Sequence, residues 1–202
     1  MLLMHGAGWL AIKTEGEIEA RARKIGTAAA IATVVLYVLS GIWMYLGIKG
    51  YVLVSAVTDG PSNPMLKTVE LGINGQWYAN YGKAPILLIV PLLGIVGAMV
   101  SAKMLKAKNS GVLAWVASSC SIAGIITSVG VSMFPFILPS SKQATASLTV
   151  WDASSSHMIL FIMLVVAAIF VPIVLAYTGY VYRVLRGKVT QESVEDDKTF
   201  SY

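Results

Sequence analysis

Charged residues are scarce in this 202-residue sequence, in which 12% are Asp, Glu, Lys or Arg and 56% are hydrophobic. Soluble domains usually contain about 25% charged residues, so charge is depleted about twofold. The apolar residues form runs of about 20, the length that crosses a bilayer, rather than the short segments typical of a buried core. The sequence therefore predicts an integral membrane protein.

Cysteine is nearly absent as well, with Cys120 as the single thiol. It lies inside an apolar run, which excludes a disulfide framework and gives no information on redox compartment. The formal net charge of +5 does not indicate a nucleic-acid partner, because the basic residues lie at the ends of apolar runs. The apolar N-terminus has no charged leader and is followed by a charged segment, so we expect no signal peptide.

The fold class predicted from these runs is all-α, with four complete transmembrane helices in a bundle. The spans are expected at about 26–48, 85–102, 111–138 and 158–182, within a bundle covering 26–182. Outward loops are expected at 49–84 and 139–157. Residues 1–12 are apolar but would reach only roughly 18 Å across a core of about 30 Å. We therefore expect them to be the end of a truncated helix whose beginning is missing.

Segment 13–25 is a charged connector in which Glu17 precedes Arg21, and Glu19 precedes Arg23, by four residues. These spacings favour a short exposed helix with two ion pairs. Eleven of the fifteen Lys and Arg residues lie in this connector, in the 103–108 turn and in the tail 183–202. Those three segments fall on one side of a four-span topology, so the rule that basic loops stay inside makes that side, and the C-terminus, cytoplasmic.

The third span carries small residues at spacings of four, three and four: Ala117, Ser121, Gly124 and Ser128. Residues so spaced share one helix face, and small side chains let another helix approach closely. We interpret this face as a packing surface rather than a ligand site.

Ionisable residues are missing from all four predicted spans, which contain no Asp, Glu, Lys, Arg or His. Such residues usually mark proton relays, ion paths and haem or metal ligation within a membrane. Their absence argues against a self-contained pump or transporter, although a purely polar pathway for a small solute stays open. We expect no haem ligand within these spans.

The polar residues elsewhere do not form a recognisable site. His5 and His157 are each a lone histidine without a second ligand at suitable spacing, so a structural role is favoured for both. Asp152, with Ser154–Ser156, is expected to cap the last helix. Asp59 and Glu70 are expected to be solvated. We predict no catalytic, cofactor-binding or metal-binding residue, and no hydrolase triad or nucleotide-binding fingerprint is present.

Three stretches resemble subunit II of cytochrome bd quinol oxidases. They are HGAGWLAIKTEGEIEARARK (His5 to Lys24), MFPFILPSSKQATASLTVWDASSSH (Met133 to His157) and YVYRVLRGKVTQESVEDDKTFSY at the C-terminus. The spans fit that family in order and spacing over essentially the whole chain. Family members are nearly twice as long, so the resemblance implies that an N-terminal half-bundle is missing.

The resemblance implies membership of a bacterial inner-membrane complex that oxidises quinol and reduces dioxygen to water. Haem b and haem d would be held by subunit I, so this chain would act with that partner and not alone. Its own part would be assembly, shielding of the haem site, and contact with membrane lipid or quinone. Acidic residues that the family associates with a proton path would lie in the missing half. The alternative is a non-catalytic membrane scaffold or a truncated remnant of the subunit.

Overall fold

The computed structural model describes residues 1–58, 63–107, 110–184 and 187–190, and helices dominate this part of the chain. The helices are α1 (Leu2–Lys13), α2 (Gly16–Gly47), α3 (Ala79–Lys83), α4 (Ile89–Lys106), α5 (Gly111–Met133) and α6 (His157–Val184). The strands are β1 (Lys49–Ala56), β2 (Lys67–Asn74), β3 (Phe136–Leu138) and β4 (Leu148–Thr149). Among the described residues, four helical segments are long and apolar enough to cross a membrane: Gly16–Gly47, Pro85–Lys106, Gly111–Met133 and His157–Val184. This confirms the all-α membrane fold class.

Two helix boundaries differ from the expected spans. Helix α2 begins at Gly16, so the helix predicted for the connector continues without a break into the first span. Helix α5 ends at Met133 rather than near residue 138. Pro135 explains this end, because proline lacks an N–H and disfavours helical geometry in the residue before it. The chain then forms the short strand β3.

The chain divides into two compact units. The first contains residues 1–48, 78–132 and 187–202, and we call it the helical unit. The second contains residues 49–77 and 133–186, and we call it the hairpin unit.

Close packing in the helical unit depends on small residues. Met4 of α1, Ala30 of α2 and Ala98 of α4 are fully buried against one another. A Cβ added at Gly26 would lie 2.4 Å from the Cβ of Ala7, and one at Gly97 would lie 2.8 Å from the carbonyl oxygen of Ala117. The backbones therefore approach too closely for larger side chains at these positions.

The packing face predicted on α5 is confirmed. Ser121, Gly124 and Ser128 are buried and Ala117 is half-buried. The Ser121 hydroxyl donates a 2.7 Å hydrogen bond to the carbonyl oxygen of Gly94 on α4. The sequence thus predicted the face correctly: α4 packs against Ser121 and Gly124, and Ser128 bonds Tyr37 of α2.

Three basic segments meet at one end of the helical unit. Arg23 near the start of α2 pairs with Glu19 at 2.8 Å and donates hydrogen bonds to the carbonyl oxygens of Leu105 and Ala107 at the end of α4. The backbone N–H of Val189 donates a 2.8 Å bond to the carbonyl oxygen of Lys13. Basic side chains commonly bind the last carbonyls of a helix in this way. The connector, the end of α4 and the tail residues 187–190 therefore lie on the same side.

Strand pairing, which the sequence did not predict, organises the hairpin unit. Strands β1 and β2 pair antiparallel with two irregularities in register, and β3 pairs antiparallel with β4. Tyr51, Trp77 and Phe136 make mutual edge-to-face contacts with ring centroids 5.7–6.1 Å apart. No residue of α6 is buried.

Candidate functional site

The most strongly constrained polar group in the hairpin unit is a buried ion pair. Lys67 Nζ at the start of β2 lies 2.7 Å from Asp152 Oδ2, and their side chains are only 1% and 7% exposed. Asp152 also accepts hydrogen bonds from the backbone N–H and the hydroxyl of Thr149, at 2.8 and 2.9 Å. Lys67 Nζ donates a further bond of 3.3 Å to the carbonyl oxygen of Pro64. The pair thus ties two loops that are distant in sequence.

The electrostatics of Asp152 follow from these contacts. Burial by itself raises the pKa of this carboxyl, whereas the hydrogen bonds from Lys67 and Thr149 and the lysine charge lower it, and the net effect is a pKa below the ordinary value. The carboxylate is therefore held ionised against Lys67. A buried charge with three partners of this kind positions the two loops relative to each other.

The expected capping role of Asp152 is wrong. Helix α6 begins only at His157, and the Asp152 carboxylate bonds Thr149 and Lys67 instead. Sequence spacing cannot show this, because Lys67 is 85 positions away in the chain and looked like one of several ordinary loop lysines. The only available signal was that Asp152 is one of just two charged residues in its loop, the other being Lys142.

A chain of hydroxyl groups connects α2, α3 and α5 in the helical unit. Ser128 Oγ donates to the carbonyl oxygen of Ile125, so the 2.7 Å contact between Tyr37 Oη and Ser128 Oγ has Tyr37 as donor. Tyr81 Oη donates to the carbonyl oxygen of Ser128 at 2.9 Å, and Ser132 Oγ donates to Tyr81 Oη at 3.3 Å. These neutral groups satisfy one another and nearby carbonyls.

Tyr78 and Tyr81, which precede the second span, are also uncharged. Burial raises the pKa of Tyr78, with smaller contributions from Tyr37 and Tyr81. Burial likewise raises the pKa of Tyr81, although its hydrogen bond with Ser132 opposes the shift. Both phenols therefore remain protonated near neutral pH, where they donate hydrogen bonds and carry no charge.

His5 lies in a small aromatic cluster of the helical unit. Its Nδ1 is 2.9 Å from Ser118 Oγ, and its ring centroid is 5.3 Å from that of Trp115. Ser118 donates its own proton to the carbonyl oxygen of Trp115, so His5 Nδ1 carries the hydrogen and donates to Ser118. Trp9 also contacts Trp115, with centroids 5.9 Å apart. These contacts fit the structural role expected for His5.

The other residues considered from sequence are dispersed. His157 is exposed at the first turn of α6, and Glu70 is exposed on β2. Asp59 lies outside the described residues. Cys120 is a half-buried free thiol on α5.

The family resemblance implies haem in the complex, so we tested whether the described residues fit one. A haem iron needs an axial His, Met, Cys or Tyr facing a cavity of suitable size. His5 uses Nδ1 on Ser118 and stacks on Trp115, and His157 is exposed. No group of three or more metal-ligating His, Cys, Asp or Glu side chains occurs among residues 1–58, 63–107, 110–184 and 187–190. Neither histidine therefore belongs to a group of metal-ligating side chains within the described residues.

Comparison with known proteins gives a consistent result. The model of the family described as cytochrome bd terminal oxidase subunit II matches residues 1–185. A Haemophilus influenzae protein named "Probable cytochrome oxidase subunit 2" is 39% identical, over 100% of this chain and 53% of its own length. The cytochrome bd-I ubiquinol oxidase subunit 2 of Escherichia coli K12 is 40% identical, over 96% of this chain and 51% of its own.

The match covers nearly all of this chain but only part of each relative. The chain spans about half the length of the curated relatives that it matches. The family match nevertheless covers nearly all of the chain, from the first residue to the end of the last predicted span. The chain therefore belongs to the cytochrome bd terminal oxidase subunit II family.

Proposed function

We propose that this chain serves as subunit II of a bd-type terminal oxidase, in which quinol is oxidised and dioxygen is reduced to water. The observation that carries the proposal is the family match over residues 1–185. Its bundle, held by small residues and neutral hydroxyls, suits a supporting subunit. In this proposal subunit I holds haem b and haem d, and this chain supports assembly and shields the haem-bearing partner, without activity of its own.

Purification of the oxidase tests this division of labour. The chain would be tagged, expressed with subunit I in a bacterium that lacks its own bd oxidase, and purified in mild detergent. We expect haem b and haem d absorption and quinol oxidase activity in the complex, and neither with the tagged chain expressed alone. Stoichiometric haem in the isolated chain would overturn the assignment of the haems to subunit I. A stable complex without oxidase activity would favour the alternative, a non-catalytic scaffold or remnant.

We further propose that the chain is a multi-pass protein of the bacterial inner membrane with its basic end and C-terminus in the cytoplasm. The contacts of Arg23 with the end of α4, and of Val189 with Lys13, support this, because they bring three basic segments to one side. Basic loops favour the cytoplasmic face.

Cysteine labelling in intact cells tests this orientation. In a Cys120→Ala background, Lys142→Cys should react with a membrane-impermeant maleimide added from outside. The matched variant Glu17→Cys also has one cysteine at an exposed position, and it should react only after the cells are opened. The reverse pattern would contradict the proposed orientation.

A further inference from the structure

An apolar groove runs between α2 and α4 in the helical unit. Its volume is about 400 Å³. The fully buried Ala30 and Ala98 line it where the two helices meet. Ile31, Val35 and Met99 also line the groove and are largely exposed. The groove is therefore open along its side, in the part of the helices that would face hydrocarbon.

Cations line one end of this groove. Lys103 and Lys106 of α4 both belong to its lining and are exposed. They are three residues apart and so share a helix face. Lys24 precedes Ile31 by seven residues on α2, which places it on the same stripe, two turns closer to the basic end. Within the described part of the chain, none of these three lysines forms an ion pair with a carboxylate.

The size of the groove suits a small ligand or a single acyl chain. Its volume falls in the range of about 300–1,000 Å³ that is typical of small-ligand sites. The two cations at one end, Lys103 and Lys106, favour an occupant that carries a negative charge.

We propose that this groove binds an anionic glycerophospholipid, with one acyl chain against Ala30 and Ala98 and the phosphate between Lys103 and Lys106. An acyl chain suits the apolar walls, and basic pockets between membrane helices on the cytoplasmic side bind anionic headgroups. The leaflet, the cytoplasmic one, rests on the orientation proposed above. Lys24 supplies a third positive charge near the headgroup.

Lipid retention by the purified oxidase complex tests the charge requirement. Native mass spectrometry would count phosphatidylglycerol and phosphatidylcholine of identical acyl chains bound after both are added in equal amounts. We expect the unmodified complex to prefer phosphatidylglycerol about tenfold, and Lys103→Gln with Lys106→Gln to abolish that preference. The control, Lys49→Gln with Lys142→Gln, removes the same charge from two exposed lysines of the hairpin unit. This variant should keep the preference for phosphatidylglycerol. No preference in the unmodified complex, or an unchanged one in the Lys103/Lys106 variant, would overturn the proposal.

A second pair of variants tests the groove itself. Met99→Trp should fill the groove and displace bound lipid of both kinds, while Leu93→Trp, at an exposed position on another face of α4, should leave retention unchanged. Both sites are exposed, so folding should tolerate them. Full retention in Met99→Trp would refute the site. So would a photo-reactive group at Met99 that cross-links to polypeptide rather than lipid.

The lipid count is independent of the enzymatic readout. A complex that retains phosphatidylglycerol through Lys103 and Lys106 but lacks haem or oxidase activity would refute the proposed function and leave the lipid site standing. An active complex without a preference for phosphatidylglycerol would refute the lipid site and leave the proposed function standing.

Discussion

The helical unit and the hairpin unit bury polar groups in different ways. In the helical unit the buried side chains include Ser101 and Ser121, whose hydroxyls donate to backbone carbonyls on a neighbouring helix at 3.0 and 2.7 Å. In the hairpin unit a full ion pair, Lys67 with Asp152, is buried and carries additional hydrogen bonds. One unit uses neutral donors of small size and the other uses opposite charges.

The difference follows from the backbone available in each unit. Neighbouring helices already satisfy their own N–H groups, so a serine hydroxyl needs only one spare carbonyl lone pair and adds little volume. The two sheets of the hairpin unit are separate, so no ladder connects β2 to β3 or β4, and a buried charge pair fixes one arrangement between them. Such a pair costs desolvation, however, and so one charge without the other is strongly destabilising.

The largest expected effect in this comparison comes from neutralising one member of the ion pair. Asp152→Asn keeps the shape and an acceptor for Thr149 but leaves the buried Lys67 without an anion. We expect a loss of about 3–5 kcal/mol in the free energy of unfolding of the hairpin unit. Amide hydrogen exchange of β1 and β2 in the purified complex would measure it.

Two variants sharpen that result. Glu70→Gln removes the same charge from an exposed position on β2 and should change stability by less than about 0.5 kcal/mol. Lys67→Met combined with Asp152→Leu should be more stable than Asp152→Asn alone, because no unpaired charge remains. If Asp152→Asn were as stable as Glu70→Gln, the ion pair would not organise the loops.

Backbone approach in the helical unit is the next test. A Cβ at Gly124 would lie 2.5 Å from the backbone nitrogen of Gly94, so Gly124→Ala must push α4 and α5 apart. We expect a loss of about 1–3 kcal/mol, as for other overpacked sites. Gly130→Ala on the same helix has no atom within 4 Å of the new Cβ and should be neutral or slightly stabilising. Thermal unfolding of the two variants in one detergent would compare them.

Acid should weaken the hairpin unit selectively. The pKa of Asp152 is lower in the folded protein than its ordinary value, so the folded state favours the ionised carboxyl. Its contribution to stability is complete above the ordinary aspartate pKa of about 4, and it is lost as the pH falls below that value towards the folded pKa. Unfolding measured between pH 6 and pH 3 should show this loss. Asp152→Asn should lack this part of the pH dependence, and an identical profile in both proteins would contradict the assignment.

The smallest effect is expected for a single interhelical hydroxyl. Ser121→Ala removes the bond to Gly94 on α4, and interhelical bonds in membranes average about 0.6 kcal/mol. Ser119→Ala removes a 3.0 Å bond to Trp115 within the same helix and should cost less. Reversible unfolding in mixed detergent micelles can resolve the pair. Equal losses would show that the contact between α4 and α5 depends on shape alone.

The sequence by itself determined the membrane class, the number of complete spans and the packing face on α5. Runs of about 20 apolar residues can satisfy their backbone in lipid only as helices, so composition and length fix the outcome. The ion pairs Glu17–Arg21 and Glu19–Arg23 were predicted from their spacing of four residues on a helix, and both are present. The family, too, was evident from particular residue runs.

Only the tertiary structure decided which polar residues meet. The pairing of Lys67 with Asp152 joins two loops, and the groove lined by Ala30 and Ala98 has walls from two helices. Helix periodicity relates residues three or four positions apart, whereas these contacts depend on how separate segments pack. Asp152 shows the limit most clearly: the residues around it favoured a helix cap, and a lysine distant in the sequence determined its role.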